Sequence, residues 1–238
     1  MRNWIAAIVI GLVALPGTAL GAGGKVPMHM EVDLSKEALR DGAETFANNC
    51  MGCHSAEYYR YKNLVKHLGM TKSGVEDGLM HGTVGINDHM KSAMTKEQAG
   101  RWFGAPAPDL SLVTRVRGSN WVYSYLLAFY QDDTATGWNN GVFPQVSMPN
   151  VLYHLTEGAP AYYDAVPAPH GDEHGHVEYP EVPEKLDHKV QNLVSFLTYV
   201  GDPSVLARQS MGPWVLLFLV VLGVLTFLVK KEYWRDIH

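Results

Sequence analysis

Cys50-Met51-Gly52-Cys53-His54 is the stretch on which the reading of this 238-residue chain turns. Its two cysteines are the only two in the sequence, three positions apart, with a histidine directly after them. Two cysteines cannot build a disulfide framework for a chain of this size. C-x-x-C-H is instead the attachment signature of a c-type haem. Two thiols within one helical turn reach the two vinyl groups as thioethers, and the next residue presents its imidazole to the iron. A zinc site would need further ligands, and with no other cysteine these would have to be histidines or acids. A thioredoxin-like redox pair needs a βαβ context, which the sequence lacks. The motif therefore predicts one covalently bound haem c on Cys50 and Cys53, with His54 as an axial ligand.

Working outward, the segment before the motif reads as an amphipathic helix over 33–49. Leu39, Ala43, Phe46, Ala47 and Cys50 recur at helical spacing, with Asp33 or Ser35 as N-cap and Glu37 in the first turn. Gly42 lies inside it and costs about 1 kcal/mol relative to alanine, a penalty that a close helix crossing would explain. The stretch 66–104 is dotted with glycine and methionine and predicts irregular loop with short helices. Asn120 to Tyr130 reads as one buried, aromatic-rich helix, 131–185 as long loops rich in proline, glycine and acids, and Lys185 to Gly201 as a second clear helix. With no internal repeat and no run of alternating strands, the expected fold is mainly α: a cytochrome c-like haem domain with long loop insertions.

The two ends are oily for different reasons. Arg2, the apolar run Trp4 to Leu15, Pro16-Gly17 and the small residues Ala19, Gly21 and Ala22 have the layout of a secretory signal peptide over 1–21. Its apolar core is too short to cross the ~30 Å of hydrocarbon in a bilayer. Near the C-terminus, PWVLLFLVVLGVLTFLV (Pro213 to Val229) is 17 residues without a charge, extended by Met211 and Gly212. At 1.5 Å per residue this is sufficient for one transmembrane helix of about 28 Å. Trp214, Tyr233 and Trp234 suit the interfaces, and Lys230 and Lys231 favour a cytoplasmic tail. The expected organisation is a signal peptide (1–21), an exported haem domain (22–208), an anchor helix (209–231) and a short tail (232–238).

Composition fits this plan. The chain is 47% apolar and 18% charged, so it is neither disordered nor a multi-span membrane protein. Its net charge of −5 hides an asymmetry: each end carries +1, leaving −7 on the 208 residues between. An acidic head steers cationic partners and shows none of the basic excess of a nucleic-acid binder.

The sixth iron ligand is open among the remaining methionines and histidines. Met70, Met80, Met90 and Met94 lie where methionine commonly fills core gaps. Met148 stands apart, framed by Phe143-Pro144 and Pro149 in a loop whose prolines stiffen the backbone; core packing is its bland alternative. Pro108 can offer its carbonyl to the free ring N–H of His54, or simply make a turn. Arg115 and Arg117 can pair with haem propionates, or be solvated surface charges.

Together these residues resemble the cytochrome c1 family over nearly the whole chain. The likeness is carried by CHSAEYYRYKNL (Cys53 to Leu64), by APDLS (Ala107 to Ser111) before an arginine pair, by FPQVSMP (Phe143 to Pro149), and by the single C-terminal apolar segment. Three departures stand out: Ala107-Pro108 replaces a proline pair, the Met148-Pro149-Asn150 loop has fewer prolines than is common, and extra loop cysteines are absent. The resemblance implies thioethers on Cys50 and Cys53 and axial ligation by His54 and Met148. It further implies propionate binding by Arg117, with Trp121 nearby in place of a family tyrosine. It implies an electron-transfer role without bond chemistry of its own, within ubiquinol–cytochrome c oxidoreductase. The electron would come from a Rieske iron–sulfur protein and pass to a soluble or anchored cytochrome c, with the anchor beside cytochrome b in the bacterial inner membrane and the head in the periplasm. An acidic, histidine-rich loop (His170, Asp172, Glu173, His174, His176, Glu178) is expected to be a solvated partner-docking loop rather than a metal site.

Overall fold

The computed structural model describes residues 28–80, 85–168 and 178–235. The expected signal peptide, the loop histidines 170, 174 and 176, and the last three residues lie outside the described residues.

Helix α1 (Lys36–Asn49) starts where the Ser35 hydroxyl accepts from the Ala38 N–H at 3.2 Å, so Ser35 rather than Asp33 is the cap. Its buried stripe, Leu39, Gly42, Ala43, Phe46 and Ala47, packs against the longest helix of the head, α8 (Glu184–Gly201). The two cross at Gly42, where an added Cβ would stand 2.1 Å from the Asn192 carbonyl oxygen and 2.7 Å from Phe196 Cβ. The close crossing expected of that glycine is therefore present. Asp41 ties it from α1, accepting from Lys189 and, at 2.8 Å, from the Asn192 amide.

Between these helices lie short elements. Strand β1 (Ala56–Arg60) pairs antiparallel with β2 (His89–Met90). Helix α2 (Tyr61–Leu68) follows β1 directly, and helices α3 (Lys72–Gly78) and α4 (Lys96–Phe103) fall in the stretch 66–104 expected to be irregular with short helices. Helices α5 (Val113–Arg117) and α6 (Ser119–Leu127) are separated at Gly118, whose φ of 89° breaks the helical path.

The aromatic helix expected over 120–130 ends at Leu127. Phe129–Gln131 forms β3, paired antiparallel with β4 (Trp138–Asn140). The helix stops because its last carbonyls are taken by side chains: Asn140 Nδ2 donates to Tyr125 O at 2.7 Å, Tyr163 to Leu126 O at 2.9 Å, and Tyr162 to Leu127 O at 3.1 Å. Both tyrosines come from α7 (Ala159–Ala165), which with β4 lies inside the region read as loop from sequence. The described part of the head remains mainly helical, with two small two-stranded sheets.

Helix α9 (Val205–Tyr233) has 29 residues, none buried, and continues through Pro213. It is long and apolar enough to cross a membrane and, at about 1.5 Å per residue, runs for about 43 Å. At its junction with α8, Asp202 accepts from Arg208 at 2.7 Å and Ser204 at 2.6 Å. Chiefly through the Arg208 hydrogen bond, its carboxyl is held down to about 2. The clasp therefore persists from neutral pH downward, until acid protonates Asp202 near that value. Asp202→Asn is expected to leave the thermal midpoint of the head unchanged while speeding limited proteolysis across 202–208 severalfold.

Candidate functional site

The turn after α1 gathers the motif. The Cys53 N–H donates to Cys50 O at 3.0 Å and the His54 N–H to the same carbonyl at 2.8 Å, so both thiols and the imidazole emerge from one helical turn. The chain then returns past this turn at 108–111. Leu110 N–H donates to Ser55 O at 2.8 Å, while the Asp109 carboxylate accepts from the backbone of Glu57 (2.8 Å) and Ser111 (2.9 Å). This lacing brings Pro108 O to 2.8 Å from His54 Nδ1. A carbonyl only accepts, so Nδ1 carries the proton and, in the neutral ring, Nε2 presents its lone pair. Burial lowers the His54 pKa, outweighing the opposing pull of the Pro108 carbonyl and Asp109, which favours that neutral form near pH 7.

Of the candidates read from sequence, Cys50, Cys53, His54, Pro108, Arg117, Trp121 and Met148 line one cavity of about 590 Å³. That volume suits a small-molecule or cofactor site. Its walls are largely aliphatic, from Val113, Val122, Leu126, Leu193 and Leu197. Met148 is the only methionine among the described residues that lines it; Met90 is instead wholly buried beside β1, and Met70 and Met80 pack against the core. Arg115 separates from its neighbour: it donates to Gly201 O at 3.2 Å and faces Asp202, away from the cavity. Of the arginine pair only Arg117 remains available to a propionate there, its guanidinium 4.9 Å above the Trp121 ring.

The donor set fits a haem better than a bare metal ion. Burial raises Cys50 to about 12 and also raises Cys53, the opposite of the lowered thiol pKa that marks a redox-exchange pair. Among the described residues no group of three His, Cys, Asp or Glu side chains converges on a metal position. An imidazole nitrogen, a thioether, two thiols and a guanidinium around an aliphatic cavity match iron, vinyl groups and propionates.

Sequence reasoning missed the supports of this site. Asn140 is buried and accepts from Val142 N–H (2.9 Å) and Phe143 N–H (3.0 Å), and Asn139 accepts from Gln145 N–H at 2.8 Å. These bonds hold the start of the Met148 loop, where Gln145 takes a φ of +61°. Tyr125, read from sequence only as part of an aromatic helix, donates to Met148 Sδ at 3.4 Å. The i, i+4 spacing of Trp121 and Tyr125 within α6 was the signal available for it.

The family model described as "Cytochrome C1 family" matches residues 29–237. The chain is 41% identical to cytochrome c1 of Allochromatium vinosum, over 95% of this chain and 96% of that protein. It is 37% identical to a Nitrosomonas europaea protein named ammonia monooxygenase gamma subunit, over 97% of each. A chain of a solved structure described as a hyperthermophilic respiratory complex III aligns over 100% of this chain and 98% of its own, at 16% identity and a TM-score of 0.46. On the extent of the sequence matches, across the helices and loops that build the cavity, the chain belongs to the cytochrome c1 family.

Proposed function

We propose that this chain is the haem-bearing electron-transfer subunit of a ubiquinol–cytochrome c oxidoreductase. It would take one electron at a time from a Rieske iron–sulfur protein and pass it to a soluble or anchored cytochrome c. The observation that carries this reading is His54 donating through Nδ1 to Pro108 O on the wall of the cavity that Cys50, Cys53 and Met148 share. Haem c, when bound, supplies a one-electron ferric/ferrous couple. Cys50 and Cys53 would anchor it, and the His54 imidazole and Met148 thioether would hold its iron. Arg117 would neutralise a propionate, with Trp121 beneath its guanidinium. Leu112, Val116 and Phe143 line the cavity yet stay exposed, which favours a short, apolar path for an electron to a docked partner.

The same reading has residues 1–21 removed on export, the head (22–208) in the periplasm, and 209–231 spanning the inner membrane beside cytochrome b, with a cytoplasmic tail. It is supported by family membership and by the unburied apolar helix α9. A second reading, the same anchored haem head serving another membrane complex, is favoured by the name of the Nitrosomonas relative. Affinity purification of the detergent-solubilised full chain separates them. Cytochrome b and a Rieske protein in stoichiometric amounts are expected, and stoichiometric recovery with different membrane subunits instead would sink the first reading.

A further inference from the structure

The Tyr125 phenol makes no hydrogen bond among the described residues other than the one to Met148 Sδ, at 3.4 Å. Its ring has little freedom to leave. Trp121 stacks on it, with centroids 5.3 Å apart and planes 10° from parallel, and Phe129 meets it nearly edge-on, also at 5.3 Å. The carbonyl of the same residue is held by Asn140, whose side chain also anchors 142–143 at the start of the Met148 loop. One buried asparagine thus fixes the donor's backbone and the acceptor's loop together. A thioether sulfur has two lone pairs and is a weak acceptor, so it can receive the phenolic proton through one while the other stays available.

We propose that Tyr125 is a positioning residue for the sixth ligand, its hydroxyl orienting the Met148 thioether and drawing electron density from the sulfur. This rests on Met148 being the axial ligand. A sulfur that shares density with a proton donates less to iron, and ferric iron needs that donation more than ferrous iron does. The hydrogen bond therefore favours the reduced state and raises the potential. By restricting rotation of the thioether it also slows ligand displacement.

The test is Tyr125→Phe in the haem-loaded, detergent-solubilised full chain, which removes one oxygen and keeps the aromatic stack. The ferric/ferrous ratio at a fixed ambient potential is expected to rise three- to tenfold, a fall in midpoint of about 30 to 60 mV at about 59 mV per decade for one electron. Displacement of the sixth ligand by cyanide in the ferric protein should quicken severalfold, with the thermal midpoint nearly unchanged. In a Met148→Leu background the same substitution should shift the ratio no further, because the hydroxyl acts through the sulfur. A ratio within twofold of the parent, or an equal shift in the Met148→Leu background, overturns the proposal. If Met148→Leu alone leaves the spectrum intact, the ligand reading itself falls, and the tyrosine proposal with it.

Discussion

Met148→Leu should abolish the absorption band of methionine-ligated ferric haem and open the sixth position to carbon monoxide in the reduced protein. Leucine nearly conserves the volume of methionine, and such swaps commonly cost less than about 1.5 kcal/mol. The head should therefore stay folded, with the haem still attached through Cys50 and Cys53. What disappears is the sulfur, the one methionine sulfur on the cavity wall among the described residues. Losing it should lower the potential by on the order of 0.2 V, well within the ~0.8 V over which axial ligands tune haem. Optical spectra with and without carbon monoxide, followed by redox titration, check both points. An unchanged ferric spectrum would reassign the sixth ligand. A haem enzyme or gas sensor, by contrast, would bind carbon monoxide rapidly before any substitution was made.

Gly42→Ala should be the most damaging single-carbon change in the head. In an exposed helix the substitution would gain about 1 kcal/mol of helical propensity. Here the new Cβ would lie 2.1 Å from a backbone oxygen and 2.7 Å from both a backbone carbon and the Phe196 Cβ, all on α8. None of these is the tip of a flexible side chain, so α1 and α8 must separate along their whole crossing. Overpacking commonly costs about 1–3 kcal/mol, and the rigidity of these neighbours points to the upper end, giving a net loss of about 2 kcal/mol. Because α1 runs directly into Cys50 and α8 contributes Leu193 and Leu197 to the cavity, the shift should also reduce haem incorporation. Thermal unfolding and the haem-to-protein ratio measure the two effects. A midpoint at or above that of the parent would show that the helices can part freely.

Much of this protein is legible without coordinates because the decisive signals are local. Cys50, Cys53 and His54 fall within one turn, so their grouping follows from spacing alone. The stripes of α1 and α8 repeat at helical period, and a 17-residue uncharged run announces α9. Gly42 pointed to a crossing because an interior glycine carries a cost that only a close neighbour offsets. The aromatic segment shows where locality fails. Nothing within 120–130 tells that a helix must end at Leu127, since the groups that take its last carbonyls, from Asn140, Tyr162 and Tyr163, lie 15 to 37 residues away in sequence.

The same divide runs through the site. Sequence alone determined which side chains have haem chemistry, because thiol, imidazole, thioether and guanidinium carry that chemistry wherever they are placed. It also determined a helical head followed by one long apolar helix, because hydrophobic period and run length are properties of the chain. Only the tertiary structure decided which of two arginines two positions apart faces the cavity, which methionine lines it, and that a carbonyl 54 residues from His54 sets that ring's tautomer. It alone paired Tyr125 with Met148, 23 residues further along the chain. Each of these depends on a hydrogen bond or contact between distant segments, and such contacts exist only once the backbone has brought them within about 3 Å.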